Sequence, residues 1–132
     1  MPRSMVLVAA AVVERDGRFL LTRRLKGTHL AGTWEFPGGK CEPDESPEDC
    51  LHRELLEELA VPSVIGERLL ITRHAYLERT VELHFFTATL DGDPSPQLGQ
   101  EMKWVARGEL KSLELPEADA DLIALLCEGE PG

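Results

Sequence analysis

Three glutamates, Glu54, Glu57 and Glu58, fall within a single turn of a segment with helical character. Residues three and four apart share a helix face, so the spacing predicts that their carboxylates converge on one patch. Alone they repel one another. A hard divalent cation such as Mg²⁺ takes oxygen ligands and relieves that repulsion. A glycine-bearing stretch just upstream, Phe36-Pro37-Gly38-Gly39-Lys40, enters the same site. Clustered carboxylates beside such a loop suggest a metal site that handles phosphates.

These residues need elements to hold them. Ser46-Pro47-Glu48-Asp49 is a good helix start: serine is a preferred N-cap, proline suits the first helical position and acids suit the first turn. Leu51, Leu55 and Leu59 repeat every four residues and form the stripe that faces a core. The glutamates lie beside that stripe, where they can face a cleft, and Pro62 ends the helix. Upstream, Met5–Val13 reads as a buried strand, Asp16-Gly17 as a hairpin turn and Phe19–Arg24 as the partner strand. Gly27–Gly32 reads as a loop. Trp34-Glu35-Phe36 reads as a short extended piece that Pro37-Gly38-Gly39 breaks, and Cys41–Glu45 as further loop. Downstream, Val64–Arg73 and Thr80–Leu90 are strand candidates with a turn near Leu77–Arg79. The segment Asp91–Pro96 is a loop by composition, Lys103–Ala106 a short strand and Asp119–Cys127 a closing helix. Strands and helices mix without βαβ regularity, so the expected class is α+β: a sandwich with a mixed β-sheet.

Length and charge narrow the possibilities. The 132 residues suit a single domain, 1–132, that buries roughly 65–70% of its unfolded surface. Cys41, Cys50 and Cys127 form no C-x-x-C pair and are odd in number, which argues against a disulfide framework or zinc ribbon and fits a reducing cytoplasm. The apolar run Met5–Val13 is far shorter than the ~20 residues that span a bilayer, and it runs into Glu14-Arg15-Asp16-Gly17 without a convincing cleavage site, so it reads as a strand and not a signal peptide. A net charge of −10 repels nucleic-acid polymers and anionic membranes. A small anion remains a suitable partner where a metal or local cations compensate, and Arg23, Arg24, Lys26 and Lys40 supply such cations.

Gly39, Glu45, Arg53, Glu54, Leu55, Glu57, Glu58 and Val61 fall on the pattern G-x5-E-x7-R-E-U-x-E-E-x-G-U, with U apolar. This is the signature of the Nudix hydrolases, and the chain resembles that family. Trp34–Lys40, Leu21-Thr22-Arg23-Arg24 and Leu115-Pro116-Glu117-Ala118-Asp119 are similar to further stretches of its MutT-like subgroup, so the resemblance covers most of the chain. It implies the Nudix fold, an α/β/α sandwich with a mixed β-sheet. It also implies a reaction in which water, with a divalent metal (Mg²⁺, with Mn²⁺ as the alternative), cleaves a nucleoside triphosphate to the monophosphate and pyrophosphate. Metal ions neutralise phosphate charge, orient the phosphates and lower the pKa of bound water.

By the same resemblance, Glu54, Glu57 and Glu58 form the metal shell and Glu54 is the general base. The Gly38 carbonyl can join them, since a missing side chain lets backbone approach an ion. Arg53 holds the glutamates in place, bidentate if geometry permits. Glu45 braces the loop or the helix start, and Gly39 is structural. Arg23 and Lys40 are candidate phosphate contacts, with the alternative that one of Arg23 and Arg24 is simply exposed. Asp119 is the candidate base reader, accepting from an exocyclic amine or, when protonated, donating; the alternative is that it caps the last helix. Trp34 and Phe36 can stack on a base or pack into core. His29, His52, His74 and His84 show no metal-ligand spacing.

Two positions depart from the family pattern. Ala60 stands where the signature has glycine, and an alanine costs about 1 kcal/mol in the left-handed helix end that glycine accepts, which leaves open a different ending before Pro62. Leu98-Gly99-Gln100 stands where MutT-like chains often carry E-G-Q with a metal-linked glutamate, leaving Glu101 as a substitute and the metal count open. The expected substrate is a damaged or modified (d)NTP such as 8-oxo-dGTP, with a plain or 5-modified cytidine triphosphate next. Tyr76 falls roughly where dinucleoside polyphosphate hydrolases carry tyrosine. A catalytically silent Nudix-fold binding module and an acidic Ca²⁺-binding protein are the readings outside enzymology; the latter lacks an EF-hand loop. The chain is expected to act as a monomer or homodimer.

Overall fold

The structure is a computed structural model and describes residues 4–27, 31–113, 115 and 119–127. His29 and the Pro116-Glu117-Ala118 stretch lie outside the described residues. Nine elements carry the sheet framework and the site: β1 (Ser4–Val12), β2 (Glu14–Arg15), β3 (Arg18–Arg23), β4 (Trp34–Glu35), β5 (Gly38–Lys40), α1 (Pro47–Leu59), β6 (Ser63–Ala75), β7 (Arg79–Leu90) and β8 (Met102–Ala106). A 3₁₀ turn (Arg107–Ser112) and α2 (Ala120–Cys127) follow.

The strands divide into two four-stranded sheets. One has the order β5-β1-β7-β6, and in the other β3 is bordered by β2, β4 and β8. The first sheet is mixed: β1 runs parallel to β7, with Ser4 opposite Arg79 and Val12 opposite Thr87, and antiparallel to β5. Side chains alternate across a strand, and β1 uses both faces. Ala9, Ala11 and Val13 pack with Leu51, Leu55 and Leu59 of α1, while Ala10 and Val12 pack with Phe36, Phe85 and Leu122 of α2. A strand buried on both sides reads as an unbroken apolar run, which is why Ala9–Val12 carries no polar alternation, whereas Met5 near the start of β1 is exposed. The α+β sandwich with a mixed sheet is therefore present, with helices on opposite faces.

The hairpin and the site helix follow from local sequence. Asp16 and Gly17 both take positive φ, 52° and 76°, as the two-residue turn matched to strand twist requires. The Ser46 hydroxyl accepts the Asp49 N–H at 3.1 Å, and Pro47 opens α1. At its other end Ala60 adopts φ 53°, ψ 37° and donates its N–H to the Leu56 carbonyl at 3.0 Å. The helix thus ends in the left-handed conformation despite the missing glycine, because Pro62 and the packing of buried Val61 (1% exposed) against the α1 stripe direct the chain there.

Two local expectations are corrected. Pro37-Gly38-Gly39 does not break the extended chain. It moves it from one sheet to the other: β4 ends at Glu35 and β5 begins at Gly38, pairing Gly38 with Ala10 and Gly39 with Ala9. A Cβ on Gly38 would strike the Ala9 carbonyl, so these glycines permit close strand contact where composition suggested a loop. The 3₁₀ turn over Arg107–Ser112, which buries Leu110, had no periodic signal. The strand ends otherwise differ from expectation by two residues or fewer at each end. All three cysteines are free thiols.

Candidate active site

Burying Leu51, Leu55 and Leu59 fixes the rotation of α1 and turns Arg53, Glu54 and Glu58 toward β5 and the loop before the helix. Arg53 is the hub. Its Nε and Nη2 donate to the two oxygens of Glu45 at 2.6 and 2.8 Å, a bidentate fork. Its Nη1 donates to Glu54 at 2.9 Å and Glu57 at 3.1 Å, and Nη2 reaches the Lys40 carbonyl at 3.1 Å. The fork, aided by the Glu42 N–H on Glu45, holds the Glu45 carboxyl down to about 2. The same contacts keep the guanidinium more firmly protonated than usual. One side chain therefore ties the loop, the helix and β5 together. Gly39 is where β5 meets the helix: a Cβ there would collide with the Glu54 carboxylate.

Beyond this hub opens a cleft of about 470 Å³. Gly38, Gly39, Lys40 and Glu58 share its wall with Phe36 and Asp119. Burial, reinforced by the adjacent Glu54 charge, pushes the Glu58 carboxyl up to about 8. Burial disfavours the charged form, and a nearby cation would favour it. Of the three sequence-predicted ligands, Glu54 and Glu58 meet. Glu57 is mostly exposed and leans on Arg53. Among the described residues no trio of acidic, histidine or cysteine side chains is already gathered as a cage, because Arg53 draws Glu54 and Glu57 to itself. The donor set nonetheless fits a hard divalent cation: carboxylate oxygens next to a main-chain stretch, Gly38-Gly39, that has no side chain in the way.

Arg23, Arg24, Lys40 and Arg79 are the cationic side chains of the cleft wall. Arg23 is braced by the Gly32 carbonyl (2.9 Å), by Glu101 (3.0 Å) and by the Trp34 ring, 5.7 Å from its guanidinium carbon. Glu101, the candidate substitute for a metal-linked glutamate at position 98, is paired with Arg23, as Glu54 and Glu57 are paired with Arg53. Leu98 itself lines the cleft.

Asp119, also in the cleft wall, stands directly before α2, only 4% exposed. Its carboxyl is pushed up to about 7 by burial and by nearby Glu35, against the pull of Arg24. Phe36 is 4% exposed and meets Phe85 edge-on at 6.2 Å, so it is a core side chain that also lines the cleft.

Sequence reasoning gave no site role to Glu35, Arg79 or Gln100 and named Arg24 only as one of several nearby cations; all four are in the cleft wall. Arg24 Nη1 donates to Glu35 at 2.7 Å, and burial raises the Glu35 pKa against that pairing. A signal existed: Glu35 sits between two aromatics, Trp34 and Phe36, in a strand only two residues long. Tyr76 also lines the cleft, with its ring edge-on to His74 at 4.7 Å. His52 bonds the Ser63 carbonyl at 3.0 Å and His84 bonds Glu82 at 2.9 Å; neither belongs to the carboxylate cluster.

The chain matches the NUDIX domain over residues 8–125. It is 38% identical to the CTP pyrophosphohydrolase of Escherichia coli, over 89% of this chain and 87% of that protein. It is 34% identical to the 8-oxo-dGTP diphosphatase of Haemophilus influenzae, over 93% and 92% of the two chains. Its fold superposes on the crystal structure of the MutT protein from Methanosarcina mazei with a TM-score of 0.87 at 25% identity, covering 100% of this chain and 99% of the other. No helix among the described residues is long and apolar enough to cross a membrane. With the glutamate-bearing helix, its arginine hub and the glycine strand all in place, the chain belongs to the Nudix hydrolase family.

Proposed function

We propose that this protein is a Mg²⁺-dependent nucleoside triphosphate pyrophosphohydrolase, with Mn²⁺ as the alternative ion, that converts a damaged or modified (d)NTP such as 8-oxo-dGTP to the monophosphate and pyrophosphate. The observation that carries this reading is one cleft whose wall joins the buried Glu58 carboxyl and the glycine backbone of β5 to a second buried carboxyl, Asp119. Glu54, Glu57, Glu58 and the Gly38 carbonyl would hold the ion. When bound, it supplies charge neutralisation on the phosphates and a lowered pKa for water.

The chain's own residues do the rest. Glu54 takes the proton from the attacking water as general base, and Arg53, donating to it at 2.9 Å, keeps that carboxylate aimed. Glu45 and Gly39 keep the hub and the strand in register. Arg23 and Lys40 bring positive charge to the phosphate path in an otherwise acidic protein. Phe36 and Asp119 read the base: a protonated Asp119 donates to a carbonyl and an ionised one accepts from an amine. The protein works as a single 1–132 domain, a monomer or homodimer, in the cytoplasm where the nucleotide pool resides.

The second reading is a plain or 5-modified cytidine triphosphate as substrate, favoured by the Escherichia coli relative named for CTP. A panel of normal, oxidised and methylated (d)NTPs, ADP-ribose and dinucleoside polyphosphates, compared by kcat/KM, decides between them. Pyrophosphate release fastest from 8-oxo-dGTP supports the first reading, and release fastest from a cytidine nucleotide supports the second. Nucleotide binding without ion-dependent hydrolysis of any of them would mark a silent binding module instead.

A further inference from the structure

Gln100 is one of the few polar side chains that the fold buries, at 9% exposure, and it forms part of the cleft wall. Its Oε1 accepts the Leu98 N–H at 2.9 Å, and its Nε2 donates to the Glu58 carbonyl at 3.3 Å. These partners fix which way the amide points, since an N–H needs the oxygen and a carbonyl needs the NH₂. An α-helix leaves its last four carbonyls without partners inside the helix. In α1 the Leu56 carbonyl takes the Ala60 N–H, the Leu59 carbonyl takes the Ser95 N–H at 2.8 Å, and the Glu58 carbonyl takes the Gln97 N–H at 2.9 Å besides the Gln100 amide. The last turn of α1 has no basic residue, so the loop over 95–100 is what closes this helix end.

We propose that Gln100 is a positioning residue that clamps the 95–100 loop to the end of α1 and thereby sets where the Glu58 carboxylate enters the cleft. Helix ends fray unless they are capped, and Glu58 lies in the last turn. The main-chain bonds from Ser95 and Gln97 anchor the loop upstream of Leu98. Gln100 adds the anchor downstream, across the Gly99 turn at φ 75°, so that the loop is held on both sides of the residue that faces the cleft. Losing that second anchor loosens both the Leu98 wall and the backbone that carries Glu58. This inference rests on the proposed role of Glu58 as a metal ligand.

Calorimetric titration of Mn²⁺ into the wild type, Gln100→Met and Gln100→Asn, with urea melts in parallel, tests it. Methionine keeps length and volume without either hydrogen bond, and asparagine keeps the chemistry but is one methylene too short to span both partners. Gln100→Met is expected to bind Mn²⁺ about 10-fold or more weakly, the scale for lost groups that support metal ligands. Its kcat is expected to recover at saturating Mn²⁺, with nucleotide KM unchanged there, and Gln100→Asn to fall between the two. A lowered urea midpoint with wild-type Mn²⁺ affinity in both variants would make Gln100 merely structural and overturn the proposal. A wild type that binds no Mn²⁺ would overturn the metal reading itself, a result distinguishable from unchanged affinity in the variants.

Discussion

At Glu54, replacing one oxygen by an amide removes the proton acceptor and keeps the shape. Glu54→Gln is expected to lower kcat at least ~10²-fold, the scale of lost general-base catalysis, with a melting temperature close to wild type; near wild-type turnover would take Glu54 out of the mechanism. Arg53 invites a different change. Lysine keeps the charge but is a point donor without a fork, and Arg53 spends its donors on Glu45, Glu54, Glu57 and the Lys40 carbonyl at once. Arg53→Lys is therefore expected to raise the divalent-ion concentration for half-maximal activity by about 10- to 100-fold, and an unchanged midpoint would reduce the hub to a passive brace. Asp119, in the same cleft wall, is pushed up to about 7 by burial, so it is mostly protonated at pH 6 and mostly ionised at pH 8. The ratio of kcat/KM for a cytidine triphosphate over 8-oxo-dGTP is expected to rise across that interval as a donor becomes an acceptor. Asp119→Asn, which cannot titrate, should flatten the ratio, and a flat ratio in the wild type would leave Asp119 as a helix-start residue only.

At the scale of the element, α1 carries the chemistry, and its ends decide how well it is held. Ala60 sits at φ 53°, a conformation that costs an L-residue with a side chain roughly 1 kcal/mol. Ala60→Gly is expected to raise the unfolding free energy by up to about that amount, read as a higher urea midpoint at unchanged slope, offset in part by the greater freedom of glycine in the unfolded chain. A fall in the midpoint would mean that the alanine methyl packs well enough to outweigh the strain. This helix was also the most legible part of the chain. Its start is written in Ser46-Pro47 and its buried stripe in three leucines, and both are local codes. Strand β5 was illegible for the opposite reason. Gly38-Gly39 has the composition of a turn, and only the Ala9 carbonyl on a strand 29 residues away makes glycine necessary there. Glu35 and Gln100 escaped notice for the same cause: a charged or amide residue in a short or irregular segment reads as surface until the fold brings Arg24 or the end of α1 against it.

On the scale of the whole molecule, two sheets and two helices leave one cleft in which Glu58 and Asp119 are both buried and both titrate far above their ordinary values of 4.5 and 3.8, at about 8 and about 7. A carboxyl whose pKa is raised by folding contributes stability that is fully present below its unfolded pKa and is lost as pH rises through the folded one. Glu45 works the other way: held at about 2, it contributes stability present above 4.5 and lost as the solution is acidified toward 2. The metal-free protein should therefore be most stable in mild acid, and its melting temperature should fall between about pH 5 and pH 8. A divalent ion binds the ionised carboxylates, so it must displace the Glu58 proton to bind at pH 5 but meets little competition at pH 8. At one hundred times its dissociation constant an ion stabilises the folded state by about 2.7 kcal/mol, and that increment should grow with pH. Melting curves from pH 5 to 8 with chelator and with fixed Mg²⁺ measure both trends. Glu58→Gln, which removes the main titrating group and a ligand together, should shrink the alkaline fall and the metal increment in step. A metal increment larger at pH 5 than at pH 8 would separate the buried carboxylates from the ion and leave the −10 chain with no account of why its fold gathers like charges in one place.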